Sequence, residues 1–245
     1  MIITFNSTSS DDASLGVLHV IRTGRPILPG TRDRVLAVHG KSGVYDFGYD
    51  RLEIEIPVRI FMRATSNAEL RTYARAVAAW LNVDEAKELT FDDDSGVRYM
   101  ARPWGPVNAS RIALDQFVDV SFLVPDGYAE ATSTKTGSYT GSNDGTLETP
   151  CVVSATVSVT TAELKFVLQE TEEYVMLERA LYPGSHVAID TQLRTVKVDG
   201  IDALGDLDME TTYFKLPKSS DFEVTSSPAT ASLEMEITWR ERWPS

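Results

Sequence analysis

The 245-residue chain has little of what most enzymes and nucleic-acid binders are built from. A single cysteine, Cys151, excludes an internal disulfide and any Cys-rich zinc site. Set in the strand-like run CVV, it reads as a small buried hydrophobe. The three histidines, His19, His39 and His186, are scattered and have no visible partner in the sequence. No HExxH or GxSxG is present, and Gly40-Lys41-Ser42 lacks the upstream glycine and following helix of a phosphate loop. Positive charge is also scarce. With 23 Lys+Arg against 36 Asp+Glu the formal charge is -13, which argues against a protein that grips phosphate, though not against one that surrounds DNA without holding it. Nothing approaches the roughly 20 apolar residues of a membrane-spanning helix. The start, MIITFNSTSSDD, lacks the basic and apolar regions of a signal peptide, so synthesis in a cytoplasm is expected.

The 42% hydrophobic content is that of a packed globular protein. Glu130 to Pro150, EATSTKTGSYTGSNDGTLETP, contains scarcely any large aliphatic residue and reads as a connection between two domains, 1–129 and 151–245. Charge divides unevenly across it: net -3 for residues 1–128 and -10 for 129–245.

The first half is mainly strand. In RLEIEIPVRIFMR (Arg51 to Arg63), Leu52, Ile54, Ile56, Val58, Ile60 and Met62 share one face. Pro57 interrupts the ladder and predicts an edge position or a bulge. A helix is predicted over about 67–82, opened by the capping-box spacing from Ser66 to Glu69, with Leu70, Tyr73, Ala74, Val77 and Leu81 on one stripe and Trp80 widening it. LTFDDDSGVRYMARP follows as a hairpin about Asp94-Ser95-Gly96, and DQFVDVSFLVP as a further strand. Asp92-Asp93-Asp94 lacks EF-hand spacing and suits an exposed tip.

The second half reads as an antiparallel β-sandwich from CVVSATVSVT, AELKFVLQE, YVMLE, SHVAID, RTVKVDG, YFKL and ASLEMEITWRERW. Trp239 and Trp243, four apart in TWRERW, would share one strand face. Core packing explains Trp239. Trp243 is the candidate sugar-stacking residue if the chain is instead a carbohydrate-binding module recognising host polysaccharide. A glycosidase or peptidase would need a convergent set of acids or a nucleophile with its base, and none is visible.

The stretch Val38 to Asp50, VHGKSGVYDFGYD, places three of only 15 glycines beside three aromatic residues. It is either a surface turn or a shaped contact loop. Gly40, Gly43, Tyr45, Asp46, Phe47 and Gly48 are the candidate contact residues.

These pieces resemble the distal tail (Dit) proteins of long-tailed bacteriophages. Val38 to Gly48 resembles the family's glycine-containing loop, departing from it at His39 and at Lys41-Ser42. RLEIEIPVRI, the helix ending Val77-Ala78-Ala79-Trp80-Leu81, LTFDDDSGVRYMAR and FVDVSFLVPDGYAE resemble its first domain, though Pro125 precedes Asp126. Asn143-Asp144-Gly145-Thr146, Thr149-Pro150, PGSHVAID, RTVKVDG and EITWRERW resemble its second.

The resemblance implies a mainly β chain with one helix: a tail-tube-like N-terminal β-sandwich or barrel and a C-terminal galectin-like β-sandwich. It implies a virion structural protein at the tail tip, without enzymatic activity, cofactor, metal or membrane insertion. The implied assembly is a hexameric ring that joins the tail tube to a tail-tip or tail-associated fibre or lysin protein. Receptor-binding proteins can sit at its rim, and DNA passes through without specific binding. TWRERW does not reproduce the W-x-x-E-x-R pattern of galectins.

Overall fold

The computed structural model describes residues 1–24, 26–227 and 233–244. It divides into two compact units, Met1–Thr132 and Ser133–Trp243. Of the final strand-like stretch, Ala231 and Ser232 lie outside the described residues, as does Ser245.

The first unit contains β1 (Ile3–Phe5), β2 (Thr8–Ser9), β3 (Val17–Arg22), β4 (Thr31–Leu36), β5 (Tyr45–Arg51) and β6 (Ile54–Arg63). Then come α1 (Asn67–Leu81), β7 (Lys87–Phe91), β8 (Val97–Ile112), β9 (Asp115–Val124) and β10 (Ala129–Ala131). Its main sheet runs β2-β1-β7-β8-β9-β6-β3, every pair antiparallel, and does not close into a barrel. The predicted alternation in β6 is realised: Ile54, Ile56, Val58, Ile60 and Met62 are buried. Burying five such side chains stabilises the unit by roughly 10 kcal/mol before the entropy of ordering them is counted.

Pro57 does not mark an edge strand, because β6 lies between β3 and β9. It sits where β3 has just ended: Arg22 pairs with Val58, and the Pro57 carbonyl accepts from Thr23 N at 3.0 Å. The missing N–H therefore faces the side on which the ladder stops, which is why a central strand tolerates this proline.

Helix α1 begins as predicted, and its cap explains why. Ser66 Oγ accepts from Glu69 N at 3.2 Å. The Glu69 carboxylate reaches one residue further back than in the usual box, accepting from Thr65 N and Oγ1 at 2.7 and 2.6 Å and from the Tyr73 hydroxyl at 2.8 Å. Those bonds, the Thr65 hydroxyl foremost, lower the Glu69 pKa to about 2. The folded carboxylate titrates below its unfolded counterpart, so this support is complete above the ordinary glutamate range and is lost as pH falls toward 2. Glu69→Gln is therefore expected to lose less melting temperature than the native chain when acidified from neutral pH to about pH 3. Thermal unfolding followed by circular dichroism checks this, and equal losses would contradict it.

The core face of α1 sets Leu70, Val77, Trp80 and Leu81 against the sheet. Trp80 Nε1 donates to the Phe5 carbonyl at 3.0 Å, and Phe5 meets the Trp80 ring edge-on.

The second unit comprises β11 (Lys135–Gly137), β12 (Thr140–Asn143), β13 (Cys151–Val157), β14 (Leu164–Leu168), β15 (Tyr174–Leu177) and β16 (His186–Asp190). It continues through β17 (Thr195–Val198), β18 (Ile201–Asp202), β19 (Ser220–Ser227), β20 (Leu233–Trp239) and β21 (Arg242–Trp243). Two antiparallel sheets, β11-β20-β13-β16-β17-β18 and β12-β19-β14-β15, enclose a core that includes Val153, Phe166, Ile189, Val224 and Ile237.

Three expectations change here. Residues 130–150 are not a slack connection, since β11 and β12 each add an edge to one of the two sheets. Their small residues make room for an aromatic pair: Trp239 and Phe222 pack edge-on at 5.0 Å, and a Cβ on Gly141 would stand 2.7 Å from Trp239 Cη2 and 2.6 Å from Phe222 Cζ. YFKL is not a strand. Phe214 and Leu216 are buried plugs, and Leu216 makes only an isolated bridge to Thr149. Ser220–Ser227 is a strand that its polar composition conceals.

Candidate assembly surface

Among the described residues strands β4 and β5 pair only with each other and form a separate two-stranded hairpin, rooted where Leu52 N donates to the Gly30 carbonyl at 2.8 Å. The contact-loop reading placed Tyr45, Asp46, Phe47 and Gly48 in a loop. They lie instead in strand β5, and only Gly40 and Gly43 belong to the connection. Tyr45 and Asp46 carry the ladder into the arm, and the sequence concealed this because glycine and aspartate punctuate it.

The glycines set backbone path rather than close packing. Gly40, Gly43 and Gly48 have φ of 82°, 82° and 87°, and nothing lies within 4 Å of a Cβ built on any of them. Gly48 sits in a bulge: Asp33 pairs with Tyr49 and Val35 with Asp46, leaving Phe47 and Gly48 opposite Arg34 alone. The Asp46 carboxylate fixes the bulge by accepting from Gly48 N at 2.8 Å.

The bulge changes which way the aromatics face. Unbroken alternation would put Tyr45, Phe47 and Tyr49 on one side. As paired, Tyr45 opposes Leu36 and Tyr49 opposes Asp33, two β4 positions an odd number of residues apart and so on opposite faces. The arm thus offers rings on both sides. Tyr45 is 48%, Phe47 66% and Tyr49 55% exposed, with Val35, Leu36, Val38 and Val44 also exposed. Arg32 and Arg34 both pair with Asp50, and Lys41 Nζ lies over the Tyr45 ring at 3.1 Å. An isolated two-stranded hairpin is marginal in water, and one this apolar is built to be covered.

A concave apolar surface lies elsewhere on the same unit. Strand β8 runs on past the part of the sheet that the core covers, pairing with β7 up to Ala101 and with β9 from Arg102 onward. Between its far half and α1 opens a groove of about 400 Å³ lined by Ala74, Ala78, Leu81, Val83, Val107 and Val118, with Asn82 and Gln116 also lining it. Arg111 hydrogen-bonds Asn67, tying the β8–β9 hairpin to the start of α1.

Among the described residues no three His, Cys, Asp or Glu side chains are grouped to hold a metal ion. Asp93 of the acidic tip pairs with Arg22 at 2.6 Å. Cys151 is buried, and burial pushes its thiol up to about 12. Among the described residues no helix is long and apolar enough to cross a membrane.

Trp239 and Trp243 do not share one strand. Strand β20 ends at Trp239, and the chain turns at Arg240-Glu241, where the Glu241 carboxylate is drawn inward to Lys135 at 2.5 Å. Trp243 is half-buried in β21. The shallow depression on the outer face of the larger second-unit sheet is lined by residues such as Ser154, Thr156, His186, Glu234 and Glu236, with no Trp, Tyr or Phe.

Comparison with known proteins places these features. The family described as phage tail protein RIFT-related domain matches residues 10–124, and the siphovirus-type tail component, C-terminal domain, matches residues 144–243. No curated protein sequence matches the chain. The crystal structure of the Dit protein of phage SPP1, described as a paradigm of hub adsorption apparatus in Gram-positive infecting phages, superposes with a TM-score of 0.81 at 13% identity, covering 98% of each chain. The phage P2 baseplate in its activated conformation with Ca gives 0.47 at 7% identity, over 91% of this chain and 90% of that one. The SPP1 likeness is one of fold, whereas the two family matches together span nearly the whole chain, the RIFT-related tail domain first and the siphovirus-type C-terminal domain second. The chain belongs to the siphophage distal tail protein family.

Proposed function

We propose that the chain is a structural hub of a phage tail, forming a hexameric ring that joins the tail tube to the tail-tip or tail-associated fibre or lysin protein and lets DNA pass. The observation that carries this reading is the β4–β5 arm, a projection with exposed apolar side chains on both faces and no partner strand outside itself among the described residues. A ring of identical subunits needs head-to-tail contacts between two different patches, and a projecting arm supplies one of them. The protein binds and positions neighbours and makes or breaks no covalent bond. Receptor-binding proteins at the rim are compatible with this role.

Electrostatics favours a passage that does not hold DNA. The net charge is -13. On the solvent face of the β6–β9 pair, Arg59 is held by both oxygens of Asp119 at 2.6 and 3.2 Å, and Arg63 by both of Asp115 at 2.7 and 3.1 Å. Guanidinium groups committed to carboxylates release few counterions from DNA. The assembled protein is expected to leave duplex DNA unshifted in a mobility assay at physiological salt; retention at that salt would contradict the reading.

Two further results test the role itself. Antibody raised against the chain should label the distal end of purified tails, and label confined to capsids would refute a tail hub. Glycan binding abolished by Trp243→Ala would favour the polysaccharide-binding alternative, which the half-buried Trp243 and the depression at Ser154 and His186, lined by no Trp, Tyr or Phe, do not support.

A further inference from the structure

In the first unit Arg22, Arg59, Arg63 and Arg98 each hold a carboxylate at 2.6 to 2.9 Å. Arg71 and Arg75 do not. Both are exposed on α1, and neither is paired with an acidic group among the described residues. They border the groove between α1 and the β8–β9 hairpin. Residues three, four and seven apart share a helix face, so Arg71 stands over Ala74 and Ala78, and Arg75 over Ala78 and Asn82, all of which line the groove. Arg111 adds a third guanidinium at the same end, donating to the Ala113 carbonyl and to the Asn67 side chain. The nearby acids do not oppose these charges. The Glu69 carboxylate is turned to Thr65 and Tyr73, and Asp84 and Glu85 follow Val83 at the far end, where Glu85 lies 3.7 Å from Lys87.

Free cations beside an open apolar surface, on a chain of net charge -13, fit a ligand that is itself apolar and acidic. The groove, of about 400 Å³, has small walls at Ala74, Ala78 and Ala109 that admit bulkier side chains. From Arg71 to Asn82 its helical wall is about 16 Å long, the length of about three helical turns. Its floor is the paired face of β8 and β9, where Ala109 opposes Val118. An occupant's backbone meets no open strand edge there and must satisfy its own hydrogen bonds, as a helix does. A second copy has no such helix to offer, because α1 is packed on its own sheet and no other α-helix occurs among the described residues. Along β9, Gln116 and Val118 face the groove while Asp115 and Asp119 face the other way with Arg63 and Arg59. One face of the sheet is thus neutralised, and the groove side carries uncommitted positive charge.

We infer that this groove docks an acidic amphipathic helix of another tail polypeptide. Its apolar stripe seats against Ala74, Ala78 and Val107, and its carboxylates meet Arg71 and Arg75, where the partial positive charge at the start of α1 assists them. The site is complete on one subunit and exists whether or not rings form.

Fluorescence polarisation of labelled synthetic peptides against the full chain tests this. One peptide carries leucine at i, i+3, i+4 and i+7 with glutamate between; a second has lysine for every glutamate, and a third serine for every leucine. The chain's net charge alone would favour the lysine peptide. The glutamate peptide is nevertheless expected to bind about tenfold more tightly, and the serine peptide not to bind. Replacing both exposed arginines, Arg71→Glu with Arg75→Glu, should reverse the order without unfolding the chain. Ala78→Trp, which fills the groove, should abolish binding of the glutamate peptide; if that variant unfolds, the arginine reversal decides alone. Tighter binding of the lysine peptide to the native chain, no binding of either, or glutamate-peptide binding that survives the arginine reversal would overturn the inference. Self-assembly of the native chain that folded Ala78→Trp abolishes would overturn it too, since a second copy would then fill the groove.

Discussion

Replacing Tyr45 and Phe47 together by alanine is expected to abolish self-assembly and leave a folded monomer. Both side chains are about half exposed or more, and neither belongs to the core of the first unit. Their loss therefore costs the isolated subunit little, since surface substitutions generally fall within about 0.5 kcal/mol. At an interface the balance reverses. Aromatic anchors commonly contribute ~2 kcal/mol or more each, so losing two weakens one contact by roughly 4 kcal/mol, about a thousandfold. A closed ring repeats that contact at every junction, which sharpens the loss. Light scattering with circular dichroism on the same sample checks both halves of the statement. Assembly at the native concentration would remove the arm from the interface, and an unfolded product would show that the two rings support the fold instead.

The second large effect is expected in the other unit. Trp239→Ala should destabilise it by about 3–5 kcal/mol, the usual range for removing a large aromatic from a packed core. Trp239 is 4% exposed, meets Phe222 edge-on and fills the space left by Gly137 and Gly141. For a unit of this size that corresponds to a fall in melting temperature on the order of 15 °C. Trp243→Ala, at a half-buried site on a two-residue strand, should cost far less. Calorimetry on the two variants separates them. Similar melting temperatures would mean that the small residues of β11 and β12 are not shaped around Trp239.

The contrast between these two tryptophans shows what the sequence could and could not reveal. Periodicity located β6, α1 and β9 because their buried faces recur at spacings of 2 and 3.6 residues and both helix-capping residues stand in the sequence. It failed where strands are made of small polar residues. Apart from Lys135, strands β11 and β12 are Thr, Ser, Gly and Asn, and at Gly137 and Gly141 they cross aromatic rings that leave no space for a side chain, so their composition mimics a linker. Phe214 and Leu216 misled in the opposite sense, since a buried plug in an irregular segment has the composition of a strand. TWRERW breaks after Trp239 because Glu241 is captured by Lys135, a partner more than a hundred residues away.

The candidate site was legible as a set of residues and not as a shape. Glycines and aromatics marked out 40–48, but the Gly48 bulge that turns Tyr45 and Tyr49 to opposite faces depends on pairing with β4, which carries no comparable signal. The groove was less visible still. It is assembled from one helix and two strands, and Ala74, Ala78 and Val107 have nothing in their local sequence to set them apart.

Imaging the purified native chain by negative-stain electron microscopy, with its mass measured in solution, tests self-assembly most directly. Annular particles with a central opening and a mass about six times 27.1 kDa, or a multiple of that for stacked rings, are the predicted result. Uniform single-chain particles at micromolar concentration, in the buffer that supports tail formation, would contradict it.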